Sequence, residues 1–165
     1  MCIRDREHKK KLKDLKIAWI GDGNNVCNSL IFGCSKTQTA IAIATPKGFE
    51  PDSEVVEKSS KHTSVDLTID PESAVKDADI VMTDTFTSIH TSDPKQNEKF
   101  LPTFQVNDSL MEKAKNDAIF MHCLPAKREQ EVTSSVIDGP QSVVWDEVEN
   151  RLHSQKALLL SLLSI

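Results

Sequence analysis

The side chains best suited to chemistry sit at the ends of apolar runs. In FMHCLPAKR, Phe120–Arg128, an apolar run ends in His122 and Cys123, meets Pro125 and then turns basic. DIVMTD, Asp79–Asp84, ends in the carboxylate of Asp84 and opens a long polar stretch. GDGNN, Gly21–Asn25, follows a third run and sets the amides of Asn24 and Asn25 beside the start of a helical pattern. A carboxylate at a strand end can pair with a substrate ammonium, and a cysteine at a strand's carboxyl end is placed for chemistry. Amides and free backbone N–H groups at a helix start suit an anion such as an amino-acid carboxylate. Plainer readings stand beside these: a lone cysteine is usually a core residue, and an aspartate often just begins a turn.

The elements that must position these groups are strands alternating with helices. KIAWIG, IAIAT, SVDLTID, DIVMTD and AIFMHC are short apolar runs of strand type, and SVVWD (Ser142–Asp146) is expected as a sixth extended piece. Between them lie helical patterns. Val26, Leu30 and Cys34 share one face, Glu50–Lys61 is charged, PESAVKDAD has Pro71 at its start, and Asp108–Lys115 follows the polar stretch. Strands of this kind, separated by helices, imply a Rossmann-like parallel sheet covered on both faces. Ligands of such sheets bind at the carboxyl ends of the strands, where Gly21–Asn25, Thr45, Asp84 and His122–Leu124 all fall. Pro125 restricts Leu124 and allows a cis bond, a kink that would turn backbone carbonyls toward that rim.

GDGNN also begins like a dinucleotide fingerprint. It lacks the third glycine, however, and IAIATP ends without the acidic residue that would hold a ribose. A tight strand-to-helix turn is the simpler reading. The net charge of −5 argues against nucleic acid as a partner, and the basic start is interleaved with Asp5, Glu7 and Asp14. Cys2, Cys27, Cys34 and Cys123 show neither zinc spacing nor a disulfide framework, so reduced thiols in a cytoplasmic setting are expected. ALLLSLL is far short of the ~18 residues of a membrane span, and no secretory signal is expected at the start. The last helix carries Val148, Leu152, Leu159 and Leu163 on one face, with Leu158, Leu160 and Leu162 around it. A helix apolar nearly all round expects burial on more than one side.

GDGNN, ATPKG, the strand-end TDT, MHCLPA and ENR, taken together and in order, resemble ornithine carbamoyltransferase, of the aspartate/ornithine carbamoyltransferase family. The likeness runs from about Leu15 to Leu163, and HCLP separates it from the aspartate enzymes, which carry HPLP there. It implies one half of a two-domain fold. Residues 1–14 would be a basic linker or a truncation scar, 15–146 the ornithine-binding domain, and 147–165 a helix packed on an N-terminal domain outside this chain.

The reaction implied is transfer of carbamoyl from carbamoyl phosphate to the δ-amine of L-ornithine, giving citrulline and phosphate, with no cofactor and no metal. By the same resemblance, Asn25 holds the backbone groups of ornithine, Asp84 contacts its amino group and Cys123 lies beside the δ-amine. Leu124 offers a carbonyl to the carbamoyl nitrogen, His122 hydrogen-bonds the carbamoyl oxygen, and Arg151 lies near carbamoyl phosphate. Ser88 and Ile89 begin a substrate-contacting loop that reads Ser-Met-Gly in the family; here His90 replaces the glycine. That departure keeps open another amine as substrate, putrescine or an acylated ornithine. The S-x-R-T-R and H-P-x-Q segments of the family do not occur in this chain, which is therefore expected to be inactive alone. A non-catalytic amino-acid-binding module is the alternative. The complete enzyme is expected to be a homotrimer that engages neither nucleic acid nor membrane.

Overall fold

A computed structural model of the chain describes residues 8–9, 13–87 and 95–163. Ser88, Ile89 and His90, and most of the segment 1–14, lie outside the described residues.

Five parallel strands form the sheet: β1 (Lys16–Ile20), β2 (Ala40–Ala44), β3 (Val65–Thr68), β4 (Ile80–Thr83) and β5 (Ile119–His122), in the order β3-β2-β1-β4-β5. The chain winds outward from β1 through β2 to β3, returns to the other side of β1 as β4, and continues outward to β5. This reversal puts the topological switch point between β1 and β4, where Ile20 pairs with Thr83. The crevice beyond the carboxyl ends of those two strands is where open α/β sheets bind ligands.

The β-strand period of two sorts each strand's residues between two cores. Ile17, Trp19, Ile41, Ile43, Ile80, Met82, Ile119 and Met121 face helix α1 (Asn25–Thr37), meeting its Cys27, Leu30, Ile31 and Cys34. Ala18, Ile20, Ala42, Ala44, Val81 and Phe120 face the other way. There they meet α3 (Pro71–Val75), α4 (Asp108–Met111) and α5 (Ser134–Ile137), with Phe86, Phe100 and Phe104 filling the end of the layer. α2 (Ser53–Ser60), capped by Asp52, lies beside α1 and is buried only at Ser59. Small residues on one strand face and large ones on the other let helices approach to different depths, which accounts for the Ala-rich β2.

The expected sixth strand does not form. Ser142 makes a single bridge to Phe120, bracketed by the bonds Phe120 N–H to Gln141 and Val143 N–H to Phe120. The helix α6 (Val144–Leu163) then begins, so the β-favouring Val-Val-Trp run is overridden by its context. The helix expected over Asp108–Lys115 is also shorter, closing at Met111. Along α6 only Val144 and Asn150 are buried, and Leu152, Leu158, Leu159, Leu160, Leu162 and Leu163 are exposed. Among the described residues no helix is long and apolar enough to cross a membrane.

Candidate active site at the switch point

The turn after β1 is built by close approach. A Cβ on Gly23 would lie 2.2 Å from the backbone N of Pro51, so only glycine lets the turn pack on the Phe49–Pro51 segment, which it also bonds through Gly23 N–H to Phe49 O. Gly21 takes a φ of +134°, a conformation that side chains rarely adopt. Asn24 then caps α1: its Oδ1 accepts the N–H groups of Val26 and Cys27 at 2.9 and 3.1 Å. Its amide nitrogen points the other way and donates to Asp84 Oδ2 at 2.9 Å.

Asp84 is the hub. Its second oxygen, Oδ1, accepts the Thr85 N–H at 2.8 Å and the Cys123 thiol at 3.2 Å. One carboxylate thus joins the ends of β1, β4 and β5. Burial, followed by the nearby charge of Asp84, pushes the Cys123 thiol up to about 12, so at neutral pH it is a hydrogen-bond donor rather than a thiolate nucleophile. Asp22, in the same turn as Asn24, is pushed up to about 6 by burial first and by Asp84 second. Burial also raises Glu147, in the first turn of α6. The rim is therefore acidic, a setting that favours a cationic ligand.

His122 lies behind this rim. Its ring is fully buried; Nδ1 accepts the Leu124 N–H at 2.9 Å, and Nε2 lies 3.3 Å from Oε1 of the fully buried Glu131. The Nε2 contact is close without being a well-aligned hydrogen bond. Because Nδ1 accepts, the ring proton belongs on Nε2, toward the carboxylate. The same Glu131 oxygen also accepts the Lys127 N–H at 2.5 Å. This inner scaffold holds Leu124 at a φ of +53°, a left-handed conformation costing a leucine about 1–2 kcal/mol. The Leu124–Pro125 bond is cis.

The structure thus gathers Asp84, Cys123 and Leu124 on one rim. His122, expected to reach a substrate oxygen, instead directs both ring nitrogens into the protein. The Asn25 side chain is exposed at the first position of α1, and Arg151 is exposed on α6. Donor atoms of Asp84, His122 and Cys123 lie within 4.8 Å of one another, a grouping of the type that can hold a metal. Their present bonds, thiol to carboxylate and Leu124 N–H to Nδ1, already occupy them. Glu131 and Asp22 were not singled out by sequence reasoning. In KREQEVT nothing marks Glu131 as buried and Glu129 as exposed; the two glutamates differ only in the backbone that surrounds them.

The sheet order defines a Rossmann-like α/β domain, with a polar cluster at its switch point beside the carboxyl ends of its strands. The chain belongs to the aspartate/ornithine carbamoyltransferase family: residues 13–162 match the description "Aspartate/ornithine carbamoyltransferase, Asp/Orn binding domain". It is 61% identical over 157 residues to an ornithine carbamoyltransferase of Cenarchaeum symbiosum, covering 95% of this chain and 52% of that protein. An ornithine carbamoyltransferase of Bacillus subtilis is 50% identical over 165 residues, covering 96% and 51%. Among solved structures, the ornithine carbamoyltransferase from Pyrococcus furiosus superposes with a TM-score of 0.90 at 44% identity, covering 96% of this chain and 53% of that one. The chain spans about half the length of the relatives it matches.

Proposed function

We propose that this chain supplies the ornithine side of an ornithine carbamoyltransferase, in which the δ-amine of L-ornithine takes carbamoyl from carbamoyl phosphate to give citrulline and phosphate. The observation that carries the reading is the Asp84 carboxylate, held between the Asn24 amide and the Cys123 thiol at the switch point of the sheet. An alkylammonium has a pKa near ~10.4 and attacks only after losing a proton. Asp84 is the acceptor that orients the ammonium group and receives the proton it must lose before attack. Cys123, kept as a thiol, steers that carboxylate rather than attacking. The amine lone pair then adds to the carbamoyl carbon; the C–O bond to phosphate breaks as the tetrahedral centre collapses, and the extra proton on nitrogen passes to the departing phosphate.

In this proposal the Leu124 carbonyl receives the carbamoyl N–H, and His122 acts through Leu124 as its support, not on the carbamoyl oxygen. Asn25 holds the amino-acid end of ornithine, Ser88 and Ile89 contact its chain, and Arg151 meets carbamoyl phosphate. The exposed leucines of α6 pack on the carbamoyl-phosphate half of the enzyme, within a cytoplasmic homotrimer, and residues 1–165 by themselves make no citrulline. The Ser88-Ile89-His90 departure favours a second reading, an acylated ornithine or putrescine as the amine. Calorimetric titration with L-ornithine, N-acetylornithine and putrescine separates the two. Uptake of L-ornithine in preference to the others supports the first reading, and preference for either competitor replaces it. Citrulline formation by the purified chain would overturn its proposed inactivity.

A further inference from the structure

We infer that Asn24 is a positioning residue for Asp84, fixing which carboxylate oxygen the amine meets; this assignment rests on the ornithine reading above. The orientation of its amide is forced. Oδ1 is committed to the Val26 and Cys27 N–H groups at the start of α1, so the NH2 group must point away from the helix, and there it finds Asp84 Oδ2 at 2.9 Å. The other side of the carboxylate is occupied by Thr85 N–H and the Cys123 thiol. The terminal torsion of an aspartate is broad and weakly restrained. Donors on both oxygens remove that freedom, and the only one of the three that bonds Oδ2 is Asn24.

The residue type is the second line of support. Serine, aspartate and asparagine cap helices about equally well. Asparagine alone of the three presents an acceptor for the cap and, on the opposite side of the same amide, an N–H donor for a carboxylate. Aspartate would set a second negative group against Asp84. Serine would satisfy the cap and leave Oδ2 without its donor. The turn is itself anchored, since Asn28 Nδ2 donates to the carbonyls of Gly23 and Asn24 at 3.2 and 2.9 Å, so the amide cannot drift from Asp84 without disturbing α1.

Two capping-competent variants separate this role from helix stability. Asn24→Ser keeps the cap, so its thermal midpoint stays within about 3 °C of the unaltered chain. Its Kd for L-ornithine by calorimetry weakens by about tenfold, the scale of one lost hydrogen bond to a charged group. Asn24→Asp also keeps the cap and weakens binding further. In the unaltered chain the Asn24 side-chain amide proton should resonate downfield in nitrogen-15-edited NMR spectra and move upfield in Asp84→Ala. A folded Asn24→Ser with unchanged ornithine affinity overturns the assignment, as does an Asn24 amide signal indifferent to Asp84→Ala. Absence of ornithine binding in the unaltered chain is a distinct result: it refutes the ornithine reading, and the amide signal then decides the Asn24–Asp84 contact by itself.

Discussion

Replacing Glu131 by alanine removes the group on which the inner scaffold converges, and the cost follows from its partners. Two donors lose their acceptor: the Lys127 N–H, bonded at 2.5 Å, and the His122 Nε2–H, facing the same oxygen at 3.3 Å. A buried donor left unsatisfied costs about 1–3 kcal/mol; the Lys127 N–H falls in the middle of that range and the poorly aligned imidazole contact at its lower end. Against this, Glu131 Oε2 is itself buried with no hydrogen-bond partner among the described residues, so deleting the carboxylate relieves part of its own desolvation. The balance is a destabilisation of about 2–3 kcal/mol, corresponding to about 4–10 °C in thermal midpoint for a chain of this size. Glu131→Gln separates chemistry from volume. It keeps an oxygen for both donors and supplies an N–H where Oε2 stood, so it should lose less than about 1 kcal/mol. Urea denaturation measures both variants, and histidine nitrogen-15 spectra report whether the His122 proton stays on Nε2. Glu131→Ala within about 0.5 kcal/mol of the unaltered chain, the range of an ordinary surface change, would refute the reasoning.

Other consequences are equally direct. Cys123→Ala should leave the urea midpoint nearly unchanged, because the thiol is only half-buried, while weakening ornithine binding through the loss of one donor to Asp84; calorimetry on the folded variant decides it. Asp22→Asn should stabilise the chain at neutral pH. With its folded value raised to about 6, Asp22 imposes no penalty below pH ~4, where folded and unfolded chains are both protonated, and a growing one as pH rises through 6. Discounted for its partial exposure the gain is about 1 kcal/mol, and stability curves of the two proteins that fail to converge at low pH would count against it. Gly33→Ala, inside α1 with nothing within 4 Å of the new Cβ, should stabilise by about 0.5–1 kcal/mol in the same denaturation assay.

The five strands and their parallel arrangement were legible because apolar runs of strand length, separated by helical periods, are a local signal that tertiary packing reinforced. The ends of those runs located Asp84, Cys123 and Leu124 on one rim for the same reason: in a parallel sheet every strand points its carboxyl end the same way. The segment after Gly139 was misjudged where local preference and context diverged. Val-Val-Trp favours a strand, but β5 is met there by one bridge only, and the chain turns helical at Val144. Residue types and order were thus enough to determine the family, the parallel sheet and which polar side chains share the rim at its strand ends. Only the folded chain could decide that His122 faces inward to Glu131 while Cys123, one residue later, faces Asp84. Neighbouring residues of an extended strand point to opposite sides, and which side is sealed depends on chain segments distant in sequence.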